Sequence, residues 1–385
     1  MPALVFRMLE DAIDFAEAWK RAVTDLQRQG LMENLAFVTA SMHEEGLIHN
    51  DAHLGNFMVS GIRLYVIDGG AVGIRNKGRS LSPGKSIKNL ADVLAQFDSG
   101  DDFLFNGAFA AYAKKRKWTK NPSYMNLLTK QIHNQRRKRY KKHLRKLYRE
   151  SSAQICSKGW NHFMVCKRVC YTSEMACLLA DIDAFIAKGK ILKAGNSSTV
   201  SLVTTDRSLF VIKRYNIKSF WHALSRCARP SRAWRSWENA HRLSIIGIAT
   251  PRPVALLEKR LGPFRSTAYY ITEYMAGLDA YRWFNSENLE RSDVQKVITQ
   301  FTQILNKFHD SLITHGDFKA TNFIVSEDEL VVTDLDAMQT HKRAGWRFRR
   351  KYRKDLRRLM QNWTDMPIIR NEFDAILKNR GGFNG

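Results

Sequence analysis

The sequence predicts a mixed α/β (α+β) chain in which one structural module is spelled twice and only the second copy is preceded by a β-rich lobe. Three observations carry this. THGDFKATNFIV (residues 314 to 325) has a near-echo in IHNDAHLGNFMV (48 to 59); each copy runs into a β-hairpin that ends on an Asp; and KILKAGNSSTVSLVTTDRSLFVIKRY (190 to 215) alternates strands and turns.

The echo holds its register. His49 and His315, Asp51 and Asp317, Asn56 and Asn322, and Asp68 and Asp334 are each 266 residues apart. At the same offset VFRMLEDAIDF, from Val5, falls on ITEYMAGLDAY, from Ile271, and KNLADVLAQF, from Lys88, on KDLRRLMQNW, from Lys354. A constant offset over about ninety positions reads as a duplicated module, with a period far too long for a solenoid.

Local pattern assigns the elements. VQKVITQFTQILNKFHDSL places Val297, Phe301, Ile304, Leu305 and Phe308 at helical spacing, and LMENLAFVTASMHEEGL is its counterpart. FIV and LVVTDL, separated by SEDE, read as a hairpin, and FMVSGIRLYVIDGGAV repeats it with SG at the turn. The order helix, polar loop, hairpin, acidic turn gathers Asp317, Asn322 and Asp334 at one mouth. Two carboxylates and an amide are hard oxygen donors suited to Mg²⁺ carrying phosphate. Upstream, Lys213 sits in the last of three strands, where a lysine can reach nucleotide phosphates. The GNSS turn offers Gly195, Ser197 and Ser198 as a phosphate cradle. SRAWRSWENAHRLSIIGI reads as a helix whose Glu238 can pair with Lys213, and AYYITEYMAG, with Glu273, as a strand entering a hinge that seats adenine.

These features together resemble the lipopolysaccharide kinase family, the Kdo and heptose kinases that phosphorylate inner-core sugars of Gram-negative bacteria. The resemblance covers about residues 185 to 365, and its markers are ENAHRLSIIGIATPRPVAL, ITEYMAG, HGDFKATNFIV and VVTDLDAM. It implies a protein kinase-like fold: an incomplete N-terminal large-lobe module followed by a complete bilobal kinase domain. It further implies ATP and Mg²⁺, with Asp317 as the catalytic Asp, Asn322 and Asp334 as metal ligands, and Lys213 with Glu238 as the nucleotide pair. Lys319 would stabilise developing charge, and Asp355 would brace the catalytic loop from a core helix. Asp336 stands where protein kinases use Gly, which leaves its role open. The expected domains are 1–133, a large-lobe-like module without its small lobe; 134–184, a basic helix and linker; 185–275, a small lobe; and 276–385, a large lobe.

Counting back from Asp51, the chain begins just before the equivalent of the hinge. The first module is therefore expected to lack a Gly/Ser turn, a strand lysine and a helix glutamate, and not to bind ATP in the usual way. It also has His53 where the second has Lys319, and DGG where the second has DLD. Either the reading frame starts inside a longer tandem kinase, or a half-module is retained as a scaffold.

Composition bounds the partners. Lys and Arg number 62 against 37 Asp and Glu, a net charge of +25, which calls for an anionic partner. The charge gathers in NQRRKRYKKHLRKLYRES (134 to 151) and HKRAGWRFRRKYRKDLRR (341 to 358), the second interleaved with Trp346, Phe348 and Tyr352. For a kinase of lipopolysaccharide core these runs fit an anionic inner-membrane surface better than nucleic acid, with lysines and arginines contributing about 1 kcal/mol each near the headgroups. No apolar run approaches the roughly 18 residues that span a bilayer, and residues 1 to 30 are amphipathic rather than signal-like. The expected location is cytoplasmic, peripheral on the inner membrane. Five cysteines without a CxxC pair make no disulfide framework; Cys166, Cys170, Cys177 and His162 match no familiar zinc spacing, so reduced thiols are the simpler reading. The other functions considered are an atypical kinase of a small molecule or protein, and a pseudokinase scaffold in envelope assembly.

Overall fold

The computed structural model of the chain describes residues 11–75, 78–118, 122–216, 230–287, 289–327 and 329–378. The start of the echo at Val5, and Cys227, lie outside them. Helices and antiparallel strands mix throughout, an α+β composition. The chain divides into two units, Met1–Lys141 and Lys142–Gly385.

In the first unit β1 (Ile13–Asp14) and α1 (Phe15–Arg21) precede α2 (Asp25–Glu44), whose start is fixed by a capping box between Thr24 and Gln27. The chain continues as β2 (Leu47–His49), β3 (Phe57–Ser60), β4 (Arg63–Val66), β5 (Val72–Ile74), α3 (Pro83–Leu94), α4 (Phe105–Lys115) and α5 (Pro122–Lys146). Its core joins Met32, Leu35, Phe57, Leu90, Leu94 and Tyr112 from α2, the hairpin, α3 and α4.

The second unit opens with β6 (Gln154–Lys158), β7 (His162–Lys167), α6 (Ser173–Ala180), α7 (Ile182–Lys188), β8 (Lys190–Gly195), β9 (Ser198–Thr204), β10 (Leu209–Tyr215), α8 (Arg232–Ile245), β11 (Pro253–Leu261) and β12 (Phe264–Glu273). The seven strands form one sheet in the order β6-β7-β11-β12-β10-β9-β8. Residues 134–146 are the expected basic helix, the second half of α5, but the residues after them are not a linker: β6 and β7 join the sheet through β11, and the division between units falls inside α5 rather than at 133. The strands escaped notice because β7 is covered on both faces. Phe163 and Val165 pack with α8, while Met164 and Cys166 pack with α6 and α7, so polar and apolar residues do not alternate.

The rest is β13 (Leu278–Asp279), α9 (Ala280–Phe284), α10 (Arg291–Asp310), β14 (Ile313–Thr314), β15 (Phe323–Val325), β16 (Leu330–Val332), β17 (Gln339–Thr340), α11 (Trp346–Gln361) and α12 (Pro367–Lys378). Val297, Phe301, Ile304, Leu305 and Phe308 of α10 are all buried, as their spacing predicts. Phe348 and Tyr352 of α11, at 2% and 5% exposure, belong to the same core. Only Trp346, at 67%, is an exposed aromatic of that basic run, so the interleaved aromatics are mostly packing residues rather than an interface.

The two units repeat their backbone detail. Phe57 pairs with Val66 and Phe323 with Val332; Leu47 pairs with Ile74 and Ile313 with Thr340. Gly46 and Leu312 both have positive φ, as do Asp68 and Asp334, at 58° and 56°. Gly277 (φ 143°) enters β13 so close to the hairpin that a Cβ would lie 2.4 Å from the Val325 carbonyl oxygen. Gly277→Ala should cost about 1–3 kcal/mol by backbone strain alone, read as a lowered denaturant midpoint with unchanged m-value.

Candidate active site

The site lies wholly within the second unit and is built on a buried peptide. His315 is fully buried; its Nε2 lies 3.0 Å from the Thr333 carbonyl oxygen and its Nδ1 3.3 Å from the Asp317 amide, which places the ring proton on Nε2. Asp355 of α11 accepts the His315 amide at 2.7 Å and the Gly316 amide at 3.0 Å, the bracing role expected of it. Burial raises the Asp355 carboxyl above its ordinary range, although the neighbouring His315 and the two amides pull the other way. Gly316 (φ 84°) is required here, because a Cβ would sit 2.9 Å from the Ala337 carbonyl oxygen.

This clamp presents Asp317. Asn322 Nδ2 donates to the Asp317 carbonyl oxygen at 2.8 Å and approaches its Oδ2 at 3.3 Å. Asp317 Oδ1 is shielded from water and takes no aligned hydrogen bond, though Arg358 Nη1 is 2.9 Å and Lys319 Nζ 3.4 Å away. At the far end of the hairpin Asp334 holds its left-handed backbone, and Lys213 of β10 reaches it at 2.5 Å. Burial pushes the Asp334 carboxyl up, but the Lys213 ammonium, with His315 and Arg232, more than offsets this, and the net shift is downward. Lys213 thus meets Asp334 and Asn322 meets Asp317, and the Thr333 amide, 2.8 Å from the Asn322 carbonyl oxygen, links the two pairs through the backbone.

Glu238 does not join them. It pairs with Arg242 at 2.8 Å and accepts from the Tyr148 hydroxyl at 3.3 Å. Helical spacing is the reason: Arg232, Ser236 and Asn239 share the face of α8 that meets the site, and Glu238 is about 200° around from Ser236. Arg232 binds Asp336 at 2.7 Å, Ser236 meets the Tyr215 hydroxyl at 2.8 Å, and Asn239 donates to the Leu335 and Met338 carbonyls. Lys213 takes Asp336 as its second carboxylate, at 3.6 Å. The residue left open by its departure from the usual glycine is therefore a buried partner of two cations.

The expected cradle is smaller than GNSS. Gly195 ends β8 and Ser198 begins β9, paired with each other, so only Asn196 and Ser197 make the turn. Gly195 is not among the positive-φ glycines, and Ser198 is a buried strand residue rather than an exposed hydroxyl. Glu273 ends β12, with its amide on the Arg252 carbonyl at 3.0 Å and its carboxylate 3.9 Å from Arg252 Nη1. Sequence reasoning missed Arg232 and Arg358. Arg358 was findable, since it stands three residues after Asp355 and so shares its helix face.

Asn322 and Asp334 suit a hard divalent cation, which is commonly held by one or two protein oxygens plus phosphate. Among the described residues no group of three His, Cys, Asp or Glu is arranged to hold a metal ion, and Cys166, Cys170 and Cys177 range from buried to exposed.

The first unit keeps the frame with other side chains. Asn56 donates to the Asp51 carbonyl at 2.8 Å, and His49 Nε2 lies 3.2 Å from the Ile67 carbonyl. Asn89 stands at the Asp355 offset and donates to the His49 carbonyl, His53 accepts from the Gly55 amide, and Asp92 stands at the Arg358 offset.

A small antiparallel sheet carrying a lysine, joined to a helical lobe whose loop and hairpin present Asp, Asn and Asp, defines a protein of the kinase class. Residues 187–379 match the model of the lipopolysaccharide kinase (Kdo/WaaP) family, and the chain belongs to that family and so to the phosphotransferases. No curated protein matches the chain.

Asp355→Ala should leave the buried His315 amide and the part-buried Gly316 amide unpaired and cost on the order of 2–4 kcal/mol. Chemical denaturation measures it, and an unchanged midpoint would remove the clamp from the account.

Proposed function

We propose that residues 142–385 transfer the γ-phosphoryl group of ATP to a hydroxyl of an inner-core sugar, heptose or Kdo, of lipopolysaccharide. The observation that carries this is the pairing of Lys213 with Asp334 and of Asn322 with Asp317 in a chain of this family. Asn322 and Asp334 would hold Mg²⁺, which when bound neutralises charge on the triphosphate. Lys213 binds α- and β-phosphate oxygens, with Asp336 rather than Glu238 steadying it. The turn from Gly195 to Ser198 covers the phosphates, and the strand end at Glu273 borders adenine. Asp317 orients the acceptor hydroxyl and takes its proton through Oδ2, its Oδ1 being shielded, while Lys319 stabilises charge developing on the transferred group.

For residues 1–141 we infer a second copy of the large-lobe module that does not transfer phosphate. Asp51 and Asp68 are exposed, and Asn89, Asp92 and His53 replace the side chains that surround Asp317. Asp317→Asn and Asp334→Asn should each lower turnover at least about a hundredfold, whereas Asp51→Asn and Asp68→Asn should leave it unchanged. Transfer of labelled phosphate from ATP to core lipopolysaccharide stripped of core phosphate reads both, and a fully active Asp317→Asn would defeat the reading.

Among the described residues no helix is long and apolar enough to cross a membrane. We place the enzyme peripherally on the cytoplasmic face of the inner membrane, held by the exposed side of α5. Arg136 is not part of that side, since it binds Asp102 at 2.7 Å and the Phe97 carbonyl. Replacing Arg137, Lys138, Lys141, Lys142 and Arg145 with Gln should weaken binding to acidic vesicles, and raised salt should act likewise because exposed charges are screened beyond about 10 Å at 0.1 M. Co-sedimentation checks this; binding unaltered by both treatments would end the membrane reading, and release of bound RNA by the same substitutions would favour nucleic acid.

A further inference from the structure

Of the side chains around the Asp317 carboxylate, Asn322 and Lys319 have a function in the scheme above, and Arg358 has none. We infer that Arg358 is a positioning residue for the phosphoryl transfer, one that holds the shielded Oδ1 of Asp317 in place so that Oδ2 is left to the acceptor hydroxyl. The inference rests on the reading of Asp317 given above.

The geometry is specific. Arg358 Nη1 donates to the Gly316 carbonyl oxygen at 3.0 Å, and the same nitrogen lies 2.9 Å from Asp317 Oδ1. Oδ1 nevertheless has no aligned hydrogen bond. The guanidinium thus spends its directed N–H on the backbone and offers the carboxylate charge without occupying it. One turn earlier on α11, Asp355 holds the amides of His315 and Gly316. A single helix turn therefore grips residue 316 by both its amide and its carbonyl, which fixes the direction in which residue 317 leaves. Lys319 cannot do this, since its side chain is half-exposed and stands farther off, at 3.4 Å.

During transfer the acceptor oxygen forms its bond to the γ-phosphorus as its proton passes to Asp317 Oδ2. The bond from that phosphorus to the bridging oxygen breaks, and its electron pair leaves with ADP. Arg358 touches none of these atoms, since its contact is with Oδ1. Its contribution is that the carboxylate stands still with Oδ2 toward the hydroxyl, and a misplacement of about 1 Å in such an arrangement costs on the order of a hundredfold. The first unit offers an internal contrast: at the Arg358 offset stands Asp92, which would repel rather than hold the carboxylate of Asp51.

The test uses the full chain and two acceptors, water in slow ATP hydrolysis and core lipopolysaccharide stripped of core phosphate. Arg358→Ala should lower kcat about a hundredfold with both while leaving KM for ATP nearly unchanged, the split expected of a group that acts after binding. Arg358→Lys, which restores charge without the planar fork, should recover part of the loss. Added guanidinium ion should partly restore Arg358→Ala and have no such effect on wild type. The inference is overturned if Arg358→Ala turns over at the wild-type rate, or if its loss appears equally in KM and melting temperature and neither lysine nor guanidinium recovers it. Asp317→Asn is run alongside. If it is inactive and Arg358→Ala is not, only the role of Arg358 fails; if it is fully active, the reading of Asp317 fails first.

Discussion

A carboxylate that is largely withdrawn from water keeps its charge only if a cation comes with it, and the organisation of the second unit follows from how Asp334 meets that condition. Its cation, Lys213, comes from the middle of the sheet, so the pair ties β10 to the turn that follows β16. Asp336, two residues on, shares Lys213 and adds Arg232 from the first turn of α8. Two carboxylates and two cations balance, and three separate elements are fixed around one cluster. Removing one member of a well-buried pair typically costs about 3–5 kcal/mol because the other is left uncompensated. The cluster is therefore a structural joint in its own right, and a ligand that drew Lys213 toward itself would have to supply compensation for Asp334 in the same event.

The two units show how far backbone and chemistry can be separated. Strand registers, left-handed positions and the amide bond from Asn56 or Asn322 to the preceding loop carbonyl recur almost unchanged. What differs is charge: a carboxylate clamp becomes the amide of Asn89, an arginine becomes Asp92 and a lysine becomes His53. Backbone hydrogen bonding is indifferent to these exchanges, whereas the field at the acidic loop residue is not.

Much of the second lobe was legible because its elements are amphipathic and its polar residues sit at turns. The spacing in α10 and the hairpin followed from local pattern, whereas the bracing by Asp355 followed from the family resemblance. Glu238 was misread because a helix is known from its apolar face, while the direction of a polar side chain depends on how that face docks. The two sheet strands before residue 184 were missed for a related reason: β7 is covered on both sides and has no alternation to read. Phe348 and Tyr352 looked like parts of a surface because their neighbours are basic, yet helical geometry turns them inward. Arg358 lay in plain view but acts through a contact across 41 positions of chain, which no local window contains.

The hairpin of β6 and β7 has a bearing on what counts as one cooperative piece of this protein. The family match begins at residue 187, after that hairpin, yet residues Ala255 to Lys259 of β11 are paired with β7 along their outer side. A fragment cut at the start of the match would bare that row of amides and carbonyls beside the apolar side chains of Leu256 and Leu257, an unprotected edge of the kind that recruits strands from other molecules. The family match is thus shorter than the sheet it enters, and the outer pairing of β11 belongs to the same structural piece as the matched residues.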